Sequence, residues 1–211
     1  MRAPKRNTRV RQAEIAQAAL DVIADRGVAG LSVAAVAQRV GIVPSGIYRH
    51  YPDREALIDA AFDGIGVHLD AQIEAVARLD ADAITRLHRL FTLHLDALRA
   101  NAVIHRVVFS RDGVAGHPGR RLRLLATIQR YLARVAAIAA AGQREGSLRG
   151  DVDPAAVARA FLGLIQPAAF LWHLSAGSPD VLQQTEAAWP LFVRAIAAPD
   201  GARAVAAGAQ P

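Results

Sequence analysis

The side chains of this chain best suited to chemistry sit close together. Within residues 31–55, LSVAAVAQRVGIVPSGIYRHYPDRE, fall Ser32, Pro44, Ser45, Gly46, Tyr48, Arg49, His50 and Arg54. Hydroxyl, guanidinium and imidazole groups at this density donate to phosphate oxygens and base edges, which is the chemistry of holding nucleic acid rather than of breaking bonds. The motifs of bond-breaking are missing: there is no Gly-rich phosphate loop, nucleophile elbow or paired-carboxylate motif. Seven histidines invite a metal reading. His88 and His94, however, are six apart, which turns them to different helix faces, and no HExxH pattern occurs. His68, His88, His105, His117 and His173 read as surface or packing residues, and neither a metal site nor a cofactor is expected.

The elements that must position these groups are helical. Ser32 can cap a helix running to Val40, with Val33, Val36, Ala37 and Val40 as its buried stripe. Gly41 interrupts it. Pro44, suited to a first helical position, opens a second helix read as Pro44 to Tyr51, and Pro52 stops it. Two short helices about a Gly-containing turn make a helix-turn-helix, whose second helix enters the DNA major groove. On that layout Ser45 and Tyr48 face the groove, and Pro44 and Gly46 permit close apolar approach, as to a thymine methyl. Ser32, Arg49, His50, Tyr51 and Arg54 are phosphate contacts or packing groups. Arg54 lies in the first turn of the next helix, where free N–H groups also favour a phosphate.

The rest of the chain reads as helix as well. A first helix spans about Thr8 to Arg26, with Ile15, Ala18, Ala19, Val22 and Ile23 inward and Gly27 at its end. Asp53 caps a fourth running to about Leu79, which Gly64 and Gly66 should weaken or bend. Further helices are expected at Asp82 to Arg99, Val103 to Phe109, Arg120 to Arg144, Pro154 to Leu174 and Pro179 to Ala197, with a loop over residues 110–119. No alternating strand pattern occurs. The fold class is all-α, about nine helices: a three-helix DNA-binding domain over 1–52 with a basic N-terminal arm, a helical ligand-binding and dimerisation domain over 53–198, and a disordered tail over 199–211.

Composition agrees. The 211 residues are 53% hydrophobic and lack cysteine, which excludes disulfides and fits a reducing cytoplasm. No apolar signal core opens the chain, and no window approaches ~18 uninterrupted apolar residues, so no membrane partner is expected. Net charge is +6 and uneven. Arg2, Lys5, Arg6, Arg9 and Arg11 precede Gln12 with no acid among them. Through Glu55 nine basic residues face five acidic ones, and the remainder holds sixteen against fourteen. Basic charge beside a helix-turn-helix is the footprint of a phosphate-backbone binder.

Over about Arg11 to Ile58 the sequence resembles TetR-family transcriptional repressors. The resemblance is carried by Arg26-Gly27, Leu31-Ser32-Val33, Ala37, Gly41-Ile42, Ile47-Tyr48-Arg49-His50-Tyr51 and Arg54-Glu55-Ala56-Leu57. Val43 departs from the Ser or Thr that often caps helix 3 in that family, and Ser45-Gly46 and Ala34 also differ. The resemblance implies a homodimer formed by the last two helices, a palindromic double-stranded DNA operator and a small-molecule effector bound among the middle helices. One helix-turn-helix touches only a half-site, which by itself calls for two-fold repetition. Phe91, His94, Leu98, Gln129, Gln166 and Phe170 are the residues expected at the effector pocket. Polar groups among apolar ones describe a pocket and a satisfied core equally well. A pocket with few charges takes a mainly apolar effector. The competing readings are a metal-sensing regulator, a non-specific DNA-binding protein and an enzyme.

Overall fold

The computed structural model describes residues 8–100, 116–175 and 178–199. Eight helices account for most of them: α1 Thr8–Arg26, α2 Val33–Val40, α3 Pro44–Tyr48, α4 Arg54–Ala77, α5 Ala83–Ala100, α6 Pro118–Arg144, α7 Pro154–Leu174 and α8 Pro179–Ile196. Among the described residues no strand forms; Leu148 and Ala197 make one isolated antiparallel pairing. The helix expected at Val103 to Phe109, the loop up to residue 115, Arg2, Lys5 and Arg6 of the basic arm, and the tail from residue 200 lie outside the described residues.

The chain divides into two compact units, residues 1–68 with 103–125, and residues 69–102 with 126–211. The sequence reading puts a boundary after Pro52. In the structure the first half of α4 goes with α1–α3, because Leu57, Ile58 and Ala61 share one buried cluster with Ile15, Ile23, Val36 and Ile47.

In the first unit, local signals set the helix ends. Gly27 ends α1 at φ +72°, with its N–H on the Ile23 carbonyl at 2.8 Å. The Ser32 Oγ accepts from the Ala35 N–H at 3.1 Å and caps α2. Gly41, at φ +74°, closes α2: the Ile42 N–H reaches the Ala37 carbonyl at 3.0 Å and the Gly41 N–H the Gln38 carbonyl at 3.2 Å. That paired pattern needs a left-handed residue, which glycine adopts without Cβ strain. Asp53 caps α4 through the Ala56 N–H at 2.8 Å. Helix α3 ends at Tyr48 rather than Tyr51. The Tyr51 N–H still bonds the Ile47 carbonyl at 3.0 Å, but a residue before proline is pushed out of helical geometry. Gly64 and Gly66 do not interrupt α4.

The second unit packs the inner faces of α5 (Leu87, Leu90, Phe91, Leu95, Leu98), α6 (Tyr131, Val135, Ile138), α7 (Val157, Phe161, Ile165, Trp172) and α8 (Leu182, Trp189, Phe192, Ile196). Asp82 caps α5 through Thr85 at 2.7 Å, and Asp153 caps α7 through Ala155 at 3.0 Å. Two helices, Pro118–Arg144 and Pro154–Trp172, are long and apolar enough by length and composition to cross a membrane, which the run-length reading did not foresee. Their alanines raise mean hydropathy without making an unbroken run, and Tyr131, Val135, Ile138, Val157, Phe161 and Ile165 on them pack in this core. At Gly142 a Cβ would lie 2.4 Å from the Ala83 Cβ and 2.9 Å from the Leu148 Cγ. Gly142→Ala is therefore expected to cost about 1–3 kcal/mol by overpacking. Thermal unfolding followed by circular dichroism should show Tm falling by several degrees.

Candidate nucleic-acid interface

α3 buries one side and offers the other. Ile47 is wholly buried in the first unit's core, whereas Tyr48 is 55% and Val43 66% exposed. Pro44, Ser45 and Arg49 are exposed with them; Gly46 and His50 are half-buried. Of the sequence-predicted groups, Pro44, Ser45, Tyr48 and Arg49 are thus exposed on or beside α3, and Ser32 is exposed at the start of α2. Tyr51 faces inward, its hydroxyl donating to the Gln12 carbonyl at 3.0 Å, which ties the residue after α3 to α1. The Nδ1 of His50 is buried without a hydrogen-bond partner, so half of that ring serves packing.

The cations separate into spent and available ones. Arg39 is held by Asp25 at 2.6 Å and Asp21 at 3.5 Å. Arg11 pairs with Glu14 at 3.0 Å. The Arg54 Nε donates to the Leu31 carbonyl at 2.9 Å, its Nη2 to the Val28 carbonyl, and its Nη1 lies 3.2 Å from Glu55. These bonds fasten the α1–α2 connection to α4, so Arg54 fills the packing alternative of the sequence reading. Arg49 is exposed and has no ion pair among the described residues.

Arg120 is the group that sequence reasoning missed. It is 5% exposed and donates to Asp59 through Nε and to Glu55 through Nη2, each at 2.6 Å. Arg123 reaches the other Asp59 oxygen at 2.7 Å. Burial alone would push the Asp59 carboxyl upward, but hydrogen bonds from Arg123 and Arg120 outweigh it and hold it below its ordinary 3.8. The spacing of Arg120 and Arg123 on one helix, and of Glu55, Asp59 and Asp63 on another, is the pattern that could have shown this.

In the second unit the six expected pocket residues are not all brought together. Phe91 and Leu98 are buried on α5, with His94 half-buried between them. The His94 Nδ1 lies 2.8 Å from the Leu90 carbonyl and its Nε2 3.2 Å from the Tyr131 hydroxyl. A carbonyl only accepts, so Nδ1 carries the proton and Tyr131 donates to Nε2. Burial pushes the Tyr131 phenol far up, which keeps it a neutral donor. His94 also stands edge-on to Phe161 at 6.3 Å. Gln166 is half-buried, while Gln129 and Phe170 are exposed. Trp189, stacked on Phe91 at 5.2 Å and tilted against His88 at 4.9 Å, joins this aromatic group instead. Burial lowers the His88 pKa, with Glu186 pulling the other way. Among the described residues no three His, Cys, Asp or Glu could hold a metal ion together.

Comparison with known proteins finds two family domains along the chain. Residues 15–61 match the model of bacterial regulatory proteins, tetR family, and residues 80–196 that of the tetracyclin repressor-like C-terminal domain. The chain is 24% identical over 174 residues to the HTH-type transcriptional repressor KstR2 of Rhodococcus jostii, covering 81% of this chain and 83% of that one. It is 26% identical over 84 residues to the nucleoid occlusion factor SlmA of Pasteurella multocida, covering 40% of this chain and only 42% of that relative's length. Among solved structures, the fatty acid degradation regulator FadR of Bacillus halodurans superposes with TM-score 0.69 at 18% identity, covering 92% and 96% of the two chains. FadR of Bacillus subtilis in complex with stearoyl-CoA gives 0.68 at 19% identity, covering 85% and 96%.

The ion cluster sets an acid dependence. Asp59 has a lower pKa folded than unfolded, so its contribution is present above the unfolded value and lost as pH falls through the folded one. Urea unfolding should show stability declining below about pH 4, and Asp59→Asn should flatten part of that decline while lowering stability at neutral pH.

Proposed function

Because the chain belongs to the tetR family of bacterial regulatory proteins and is a DNA-binding transcriptional regulator of that family, we propose that it is a ligand-responsive repressor. In this reading a homodimer grips a palindromic operator through α3 and releases it when a small, mainly apolar effector binds; its place of work is the cytoplasm. The observation that carries the DNA part is the solvent face of α3, where Val43, Pro44, Ser45, Tyr48 and Arg49 stand exposed over a helix whose other side is buried. Ser45 and Tyr48 take the base-facing roles, with Pro44 and Gly46 allowing close approach. Ser32 and Arg49 take phosphate, with His50 a packing group beside them.

Dimerisation is supported by the outer faces of α7 and α8. Phe170, Leu171 and Leu174 on α7 and Leu191 on α8 are 47–66% exposed, although the inner faces of both helices are fully used in the core. Large apolar groups concentrated on the two helices expected to pair fit a partner copy, and Phe170 belongs there rather than to the effector site. Phe91, His94 and Leu98, with Tyr131 and Phe161, are the residues proposed nearest the effector. The FadR relative holds stearoyl-CoA, and another solved relative is named a ketosteroid transcriptional regulator, so amphipathic acyl or steroid compounds are the first class to try. The buried Trp172 Nε1–H has no hydrogen-bond partner among the described residues and is proposed as a donor to such a ligand. Ligand binding favours a dimer whose two reading heads no longer match the half-sites.

Three outcomes are expected. Selection of bound duplexes from a genomic pool should return a palindrome, and Tyr48→Ala should weaken binding to it roughly tenfold or more at fixed salt with helicity unchanged. Unaltered affinity would remove Tyr48 from the interface. Replacing Arg49 by Gln should weaken binding to all sequences alike and lower the salt slope by about one, for the one phosphate no longer held. Leu174→Glu with Leu191→Glu should give a folded monomer by analytical ultracentrifugation.

A further inference from the structure

Val43 breaks two local rules at once. It is the N-cap of α3, yet it makes no side-chain cap hydrogen bond, where Ser, Thr, Asp or Asn would satisfy a free N–H. It is also a branched apolar side chain left 66% exposed, while Ile42 beside it is half-buried and Ile47 wholly buried. Two unfavourable choices at one position, in a unit where Ser32 and Asp53 cap α2 and α4 through their side chains, mark a residue kept for contact rather than for folding.

Its place decides what it can contact. The N-terminal residues of a recognition helix are the ones that reach base edges. From Val43 to Tyr48 the exposed side chains are Val43, Pro44, Ser45 and Tyr48. None is Arg, Lys, Asn or Gln, so the bidentate contacts that read guanine or adenine are not available from this stretch. An isopropyl group finds one apolar feature on a base edge in the major groove, the thymine 5-methyl.

Resting on the DNA-reading function proposed above, we propose that Val43, flanked by Pro44, is a specificity-determining residue that reads thymine through its 5-methyl group. The half-site then carries thymine where α3 enters the groove, selected by methyl burial rather than by hydrogen bonds. Ser45 and Tyr48 add directional contacts, and Arg49 adds a phosphate contact that carries no sequence information. The exposed valine is covered by DNA, not by a second protein or by the partner copy.

Deoxyuridine in place of thymidine removes the methyl and keeps every hydrogen-bonding group, so it isolates the contact. The operator selected by the full-length protein would be synthesised with each thymine in turn replaced symmetrically by uracil. Binding would be read by fluorescence anisotropy at fixed salt. At one or two thymines per half-site, uracil should lower affinity about fourfold per methyl group. Val43→Ala should erase the thymine-over-uracil ratio at those positions, with the salt slope unchanged. Val43→Ser, which supplies the missing cap, should raise Tm and still lose the ratio, separating contact from folding. A selected operator indifferent to uracil at every position would overturn the inference and leave the DNA-reading function standing. So would a Val43→Ala protein that keeps the thymine preference intact. Recovery of no consensus sequence would instead overturn the DNA-reading function itself.

Discussion

A helix of five residues, Pro44–Tyr48, cannot hold its own shape in water, because nucleating a helix costs more than so few hydrogen bonds return. Everything the first unit does depends on how that segment is held. Ile47 anchors it from below, wholly buried among Ile15, Ile23, Val36 and Leu57. Gly41 sets the angle at which it leaves α2, through a left-handed turn that bonds Ile42 to Ala37. Tyr51 fastens the exit to α1. The segment contributes little stability and receives its geometry from outside, and its exposed side is thereby free to carry residues such as Val43 that folding alone would not choose.

The arginines illustrate how position divides one chemistry into several roles. Arg54 donates to the carbonyls of Val28, which also accepts from the Leu31 N–H, and of Leu31. Arg120 is buried against two carboxylates that remain partly exposed, at 56% for Glu55 and 35% for Asp59. Loss of Arg120 would strand no buried charge, since both acids can rehydrate; the cluster fixes geometry more than it adds net stability. Arg39 is neutralised by Asp21 and Asp25. What remains toward solvent on the α3 segment is Arg49.

The second unit follows a different logic. Its polar core group, His94 with Tyr131, is satisfied internally at both ring nitrogens. An effector that used His94 would therefore have to replace the Tyr131 hydroxyl with a donor of its own, which favours ligands with one polar end on an apolar body. Phe170, Leu171 and Leu174 on α7 and Leu191 on α8 stay largely exposed. The two helices are thus divided lengthwise, with core on one side and exposed apolar residues on the other.

Much of this was legible in the residues. The helix ends at Gly27, Ser32, Gly41, Asp53, Asp82 and Asp153 are local, written in side chains that cap or reverse a helix within a few positions, and the structure places them where the sequence does. Helix periodicity likewise marks Phe91 and Leu98 as inward. The end of α3 was legible only in part, because Pro52 acts on Tyr51 while the turn at Arg49 and His50 depends on the bond to Ile47. Non-local pairing left no such trace. That Arg54 turns to carbonyls 23 and 26 positions earlier, that Arg120 finds Glu55 65 positions away, and that Phe170 and Gln129 face outward while Tyr131 meets His94 are set by which helix packs on which. The sequence by itself determined the family, the all-helical class and the place of the helix-turn-helix, since those rest on local bonds and short-range periodicity. Only the tertiary structure decided which cations are spent and which polar groups are satisfied, because donors and acceptors distant in sequence compete for one another only once the helices are packed.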